Sequence, residues 1–462
     1  MIYPAGVSLT ASQQKAFNAL MRGENVFLTG GAGSGKTFLI QEFIKAVDPE
    51  LKKTILLAPT GRAAINMGVE TDSGIVVGST LHKFFHWKNG VVPNYKRQVI
   101  KELLNADRII IDEVSMVRID AFDYFCDAVQ DANNDREFWD DKPLQIIVVG
   151  DFQQLPPVIS EKTVDSDDES DSEILAKKYG GDVEEGYAFE SNGWEFLDIK
   201  TYELTGSVRQ ENDQNFVRAL NEIRIGDPKG IGIKIINSGC SAMTREDMSR
   251  RITLCGLNKT VTKINEMQRP HAGTEQRCYV MDVTAMNGVS DYVVSNVKKA
   301  IPFEESITLW VGARVMCIVN DSQIKNGEMG IVTSMSHDGV MVKWDRGINT
   351  FVRSREVTFS KQKAKEKEDG TIEITQEQIC EISQIPLKIA YAVTVHKAQG
   401  MTFEEMNLIP EFFADNHVYV ALSRCKSLGS IHIYGGGIKR KDIKCNKKAA
   451  EFYRRLHNNE VS

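Results

Sequence analysis

No apolar stretch of the chain approaches the roughly 18–20 residues a helix needs to span a bilayer, so a transmembrane segment is not expected. Cysteine is sparse and scattered: Cys126, Cys240, Cys255, Cys278, Cys317, Cys380, Cys425 and Cys445 include no CxxC pair. Zinc sites and disulfide frameworks are therefore not expected, and free or buried thiols fit a reducing compartment. The first residues, Met1–Gly6, lack the basic-then-apolar pattern of a secretory signal. The expectation is an intracellular protein, cytoplasmic in a bacterium or phage host and nuclear in a eukaryote. Internal repeats are lacking too. So is a basic excess: 56 Lys and Arg face 63 Asp and Glu, a net charge of −7, which is the wrong sign for a nucleic-acid binder. The deficit is local. Residues 161–186 hold ten acidic and three basic side chains, which accounts for the whole net charge. The rest of the chain is neutral and can carry a basic groove. The stretch Asp165–Glu173 is poor in apolar residues and self-repelling, and it reads as a flexible surface loop.

What is present is an ordinary globular composition, 42% hydrophobic and 26% charged over 462 residues, enough for about three domains. From residue 1 to 206, apolar runs at Val26–Thr29, Thr54–Ala58, Arg108–Ile111 and Gln145–Gly150 alternate with helical patterns. Such alternation predicts an α/β domain with a parallel sheet. A second α/β pattern covers 207–305 and resumes over 386–462, with strands expected at Arg251–Cys255 and Ser430–Tyr434. Between them, 306–385 alternates with period two, as in Gly339–Trp344 and Thr350–Arg353. Turns are expected at Asn326-Gly327 and His337-Asp338-Gly339, and the charged run Lys361–Gly370 should tip a long hairpin. This segment reads as a small all-β domain inserted into the second α/β domain.

The chemistry starts at Gly30-Gly31-Ala32-Gly33-Ser34-Gly35-Lys36-Thr37. An apolar strand precedes it and Phe38–Ile44 reads as the start of a helix, the context a phosphate-binding loop requires. Backbone N–H groups of Gly31, Ala32, Gly33, Ser34 and Gly35 would surround phosphates at a helix N-terminus. Lys36 reaches the terminal phosphates, and the Thr37 hydroxyl is suited to a magnesium ion. Downstream, Ile109-Ile110-Ile111-Asp112-Glu113 is an apolar strand ending in two carboxylates. Asp112 can hold the metal through water, and Glu113 can polarise the attacking water. In Gly150-Asp151-Phe152-Gln153-Gln154-Leu155-Pro156-Pro157, Gln154 is a candidate γ-phosphate contact. Arg209, in Leu204–Gln210, and Arg424, at the start of an expected helical turn in Val418–Arg424, are candidates to stabilise charge on the transferred phosphoryl group.

These strings together resemble superfamily-one helicases of group B, above all the petite-integration-frequency (PIF) helicases, with RecD-like helicases as cousins. The resemblance is carried by Leu9–Gln13, Gly30–Thr37, Ala58–Ala64, Ser79-Thr80-Leu81-His82, Ile111–Met116, Gly150–Pro157, Leu204–Gln210, Val311–Met316, Asn326–Gly330, Tyr391–Thr402 and Val418–Arg424. Within Tyr391–Thr402, Ala392-Val393-Thr394-Val395-His396-Lys397-Ala398-Gln399-Gly400 is highly specific. One departure is Gly256-Leu257-Asn258, where these helicases usually carry Thr-Asn. The acidic segment 161–186 is another.

The resemblance implies two RecA-like P-loop NTPase domains, 1–206 and 207–305 plus 386–462, with the insert 306–385 resembling an SH3 barrel. It implies that Gln13 reads adenine and that ATP with Mg2+ is used. It implies contacts to single-stranded DNA from Pro59, Thr60, Thr80 and His82 on the first domain and from Thr394, His396 and Lys397 on the second. The expected activity is 5′→3′ translocation on single-stranded DNA and unwinding of forked duplexes by a monomeric motor. Relatives unwind guanine quadruplexes and act in repair, recombination and telomere maintenance. The aromatic run Phe84-Phe85-His86-Trp87 is either core or a base-stacking wedge, with core slightly ahead. A protein-remodelling ATPase, or a nucleic-acid-binding ATPase that does not unwind, are the rivals. An RNA track stays open, because phosphate contacts do not distinguish the sugars.

Overall fold

A computed structural model describes residues 8–459 apart from 50–52, 61–62, 65–66, 72–73, 77, 86–96, 139–140, 160–169, 181–184, 207–209, 211–212, 245–246, 271–273, 287, 292–293, 296–297, 299–302, 320–323, 325–327 and 367–371. The chain packs as two compact units. One comprises 1–245, 254–256 and 394–462; the other comprises 246–253 and 257–393.

The first unit is built on six strands: β1 (Val26–Gly30), β2 (Thr54–Ala58), β3 (Ser79–Thr80), β4 (Arg108–Ile111), β5 (Gln145–Val149) and β6 (Lys200–Leu204). They pair in the order β3-β2-β4-β5-β1-β6, and every pairing is parallel. The central strands are apolar at successive positions because helices cover both faces. Val26, Leu28, Ile110, Ile147 and Val149 meet the helices Ala11–Met21 and Lys36–Val47. Phe27, Ile109, Ile111, Ile146 and Val148 point the opposite way, onto Arg97–Asn105 and Ile119–Phe138, as the two-residue period of a strand dictates. The central strands match the sequence expectation to within a residue.

The last helix, Lys447–Asn459, also packs on this second face. Phe452 lies 4.4 Å from Phe189 in a stacked pair and 5.3 Å from Phe152. Elsewhere in the unit, Met406–Leu408, Ile431–Ile433 and Ser241–Ala242 form a second parallel sheet.

The acidic segment is not a loop throughout. Asp171–Tyr179 is a helix with a capping box between Ser170 and Glu173. Buried Arg118 binds Asp171 at 2.7 Å and Asp120 at 2.6 Å, and the Tyr179 hydroxyl donates to Asp123 at 2.6 Å. The acidic residues that begin this helix serve a favourable N-terminal dipole and a buried cation, which composition alone could not reveal. Residues 160–169 and 181–184 lie outside the described ones.

The second unit is mainly antiparallel. Asn349–Arg353, Gly339–Trp344, Met329–Met335, Arg314–Cys317 and Leu387–Ile389 follow one another across a five-stranded sheet. Arg355–Glu366 and Ile372–Gln384 form the expected long hairpin; its tip, and the expected turn at Asn326-Gly327, lie outside the described residues. The Asn265 side chain accepts from the Ala392 N–H at 2.9 Å. No described helix is long and apolar enough to cross a membrane.

Candidate functional site

Strands β4, β5 and β1 are neighbours and parallel, so the segments leaving their C-terminal ends emerge on one edge of the sheet. This is where α/β folds bind ligands. Those segments are the phosphate-binding loop, the Asp112-Glu113 pair and Gly150–Pro157. Gly35 sits at φ 89°, a left-handed conformation that glycine adopts freely, and from it the helix Lys36–Val47 starts. The result is a cavity of about 530 Å³ lined by Ala32–Phe38, Gln41, Ala63, Asp112, Glu113, Gln154, Gly400 and Arg424.

Lys36 Nζ donates to the carbonyls of Gly30 at 2.8 Å and Gly31 at 3.1 Å. Burial lowers its pKa, and nearby Asp151 and Glu113 oppose that. Burial, reinforced by adjacent Glu113, pushes the Asp112 carboxyl up to about 7. A cation would reverse that shift. Buried Ser34 Oγ has no partner among the described residues, as a loop shaped for phosphate oxygens would leave it. Together these features fit a nucleotide with a hard divalent ion held by Thr37 and Asp112.

Glu113 has φ 52°. A non-glycine residue held there costs about 1–3 kcal/mol, a strain that clusters at functional sites. Gln399 Nε2 donates to Glu113 Oε2 at 3.2 Å. The string expected to grip DNA is thus bonded to the candidate catalytic base. Gln399→Ala is expected to raise hydrolysis without DNA and to shrink the stimulation by single-stranded DNA about tenfold, the worth of one charge-assisted hydrogen bond. Phosphate release with and without oligonucleotide measures this, and an unchanged ratio would show the bond to be incidental.

Arg424 is buried. It donates from Nε to Val420 O at 2.9 Å and from Nη2 to Ser423 Oγ at 2.7 Å. It follows the helix His417–Leu422 rather than starting a helical turn. Gln154 is buried and its carbonyl accepts from Asn416 Nδ2 at 3.0 Å. Gln13 does not line the cavity: its amide accepts from the Thr10 N–H at 3.0 Å and donates to Ser34 O at 3.2 Å. It thereby ties a helix cap to the phosphate loop. Arg209 lies outside the described residues.

Among the candidate DNA contacts, Pro59, Thr60 and His82 line one cavity of about 210 Å³. Thr80 caps the short helix Leu81–Phe84. Thr394 is buried and accepts from the Lys397 N–H at 3.3 Å, His396 is half-buried and Lys397 is exposed. Phe85 is a core residue packed on Tyr124 at 5.5 Å, and Phe84 packs partly on the same core. His86 and Trp87 lie outside the described residues.

Sequence reasoning missed several residues. The Tyr419 hydroxyl accepts from the Ala32 N–H at 2.6 Å, one of the donors expected to face phosphate. The Tyr453 hydroxyl lies 2.6 Å from Thr29 Oγ1 and 3.3 Å from Asp151 Oδ1, and accepts from the Phe152 N–H at 3.2 Å. Arg224 binds Asp151 at 2.9 Å and lies over the Tyr453 ring. Tyr419 and Gln399 stood inside noted strings without an assigned role. Tyr453 had no local signal at all.

Residues 13–160 match an AAA domain family. The ATP-dependent DNA helicase Pif1 of Bdellovibrio bacteriovorus is 30% identical over 97% of this chain and 92% of its own. A crystal structure of Bacteroides Pif1 bound to single-stranded DNA is similar with TM-score 0.72, at 29% identity over 98% of each chain. The Bacteroides enzyme in complex with ADP-AlF3 and single-stranded DNA gives TM-score 0.71, at 29% identity over 98% of each chain. With its phosphate loop, paired carboxylates and buried arginine gathered on one sheet edge, this chain belongs to the Pif1 family of ATP-dependent DNA helicases.

Proposed function

We propose that this chain is an ATP-dependent DNA helicase that moves 5′→3′ on single-stranded DNA and unwinds forked duplexes. The observation that carries the reading is the convergence of Lys36, Thr37, Asp112, Glu113, Gln154 and Arg424 on one cavity, in a chain alike over nearly its whole length to helicases of that name. The ADP-AlF3 complex of the Bacteroides relative supports nucleotide use. The loop N–H groups and Lys36 bind the phosphates. Glu113 orients and polarises the attacking water, Gln154 contacts the γ-phosphate, and Arg424 with Arg209 stabilises the charge that develops on it. Thr37 and Asp112 would hold magnesium, which would neutralise negative charge on the phosphates. Gln13 is read as the adenine contact.

Within this reading, 1–206 and 207–305 plus 386–462 are the two motor domains and 306–385 is the SH3-like insert. Pro59, Thr60, Thr80, His82, Thr394, His396 and Lys397 grip the strand. Hydrolysis alternates which domain grips more tightly.

A strand-displacement assay on duplexes with a 5′ or a 3′ single-stranded tail tests the activity and its direction. Displacement should require the 5′ tail. Equal displacement from both tails would overturn the polarity. Hydrolysis stimulated by DNA without any displacement would overturn unwinding itself.

A further inference from the structure

Beside the string His396–Gly400, three aromatic rings form a cluster with no part in the nucleotide cavity. His417 lies 4.8 Å from His396 at 79° and 4.7 Å from Phe413 at 78°, centroid to centroid. His396 and Phe413 are 6.3 Å apart and only 22° from parallel. His417 thus stands edge-on to both and holds the other two rings in nearly the same plane direction. It is 1% exposed, and neither of its ring nitrogens has a hydrogen-bond partner among the described residues. Leaving a buried polar ring unbonded is unfavourable, so its contribution is the T-shaped packing against its two neighbours. Burial, aided by His396 and Lys444, pushes its pKa down to about 4, which keeps the ring neutral near pH 7.

Phe413 is the opposite case, a phenylalanine left 53% exposed. The segment that carries it is pinned. Lys444 Nζ donates to Phe413 O at 2.9 Å, the Ile409 N–H donates to Leu254 O at 3.0 Å, and the Glu411 N–H donates to Ile409 O at 2.8 Å. Gly256 lets this segment approach: a Cβ there would stand 1.7 Å from Glu411 O. The exposed ring is therefore held in place. One cation is at hand, Lys444 on the carbonyl of Phe413, and His396 is followed in sequence by exposed Lys397. The same loop also carries two acidic residues, Glu411 and Asp415, the second engaged by Asn446 Nδ2 at 3.2 Å. A fixed, exposed aromatic face beside His396, a candidate strand contact, suits the stacking of a base.

We infer that Phe413, held against His396 by His417, is a stacking platform for a base of single-stranded nucleic acid. It adds a base contact to the strand contacts proposed for His396 and Lys397. The inference rests on the helicase reading and deepens it by naming how the track is held.

The test is fluorescence anisotropy with an oligothymidylate and with an abasic strand of the same length. Phe413→Leu keeps apolar bulk without a ring, so its fold is protected. It and Phe413→Ala should weaken binding to the oligothymidylate about 5- to 150-fold, the range for loss of one base–aromatic stack. Phe413→Trp should retain wild-type affinity. The wild type should bind the abasic strand more weakly than the oligothymidylate, while Phe413→Leu should discriminate less between the two. Wild-type affinity of Phe413→Leu for the oligothymidylate, in a protein that still unwinds DNA, would overturn the platform alone. Failure of the wild type to bind either strand would overturn the helicase reading along with it.

Discussion

Lys36→Ala is expected to lower kcat for ATP hydrolysis by about 10³-fold, the upper range for removing one electrostatic stabiliser of a transition state. Unwinding should disappear with it, while affinity for single-stranded DNA stays within about twofold. The reason is positional. Lys36 Nζ lies against the carbonyls of Gly30 and Gly31 at the mouth of the loop, and it shares the cavity with Asp112, Glu113, Gln154 and Arg424. Without it, the cavity keeps its carboxylates and loses the cation that would meet the terminal phosphates. None of the candidate DNA contacts hydrogen-bonds to the ammonium in this structure, so strand binding should persist. Phosphate release and anisotropy on the same preparation separate the two effects. DNA-stimulated hydrolysis that survives in Lys36→Ala would remove the loop from the reaction.

Arg424→Ala should cost about 10³–10⁵-fold in kcat, the range for a transition-state arginine, with nucleotide affinity largely kept. Here a structural explanation competes. The guanidinium also donates to Val420 O and Ser423 Oγ and lies 3.5 Å from Met401 O, so its removal also breaks these local contacts. The two explanations part in the measurements. Loss of transition-state stabilisation lowers kcat while Tm and the Kd for ADP hold. Loss of local packing lowers Tm and weakens ADP together. Arg424→Lys sharpens the comparison, because an ammonium keeps the charge but lacks the planar fork that spans several acceptors. It is expected to recover little of the lost rate.

The candidate site was legible in the sequence where its parts are local. A phosphate loop consists of eight consecutive residues. Asp112 and Glu113 end a strand whose apolar run is visible by itself, and β1, β2, β4 and β5 are buried on both faces, so their patterning is unbroken. The charge of 161–186 was legible as well, yet its structure was not. Whether Asp171 meets water or buried Arg118 depends on a partner 53 positions earlier in the chain. Arg424 was recognised from its neighbours, but not the helix before it, since six residues from His417 to Leu422 are too few to show a period.

What the sequence alone determined is the inventory: a phosphate-binding loop, a pair of carboxylates ending a strand, strings that resemble those of helicases, and strands that alternate with helices. These follow from short-range rules, namely backbone conformations open only to glycine, side-chain periods of two and of about 3.6, and the charge a residue carries. What only the tertiary structure decided is who meets whom. Gln399 reaches Glu113 across 286 positions, Tyr419 reaches Ala32 across 387, and Tyr453 reaches Thr29 across 424. The tilt of Phe413 against His396 belongs to the same class. Such pairings are set by the order of strands in a sheet and by which face a helix covers. No period or local propensity in the chain encodes that order; it emerges when the apolar faces are buried together.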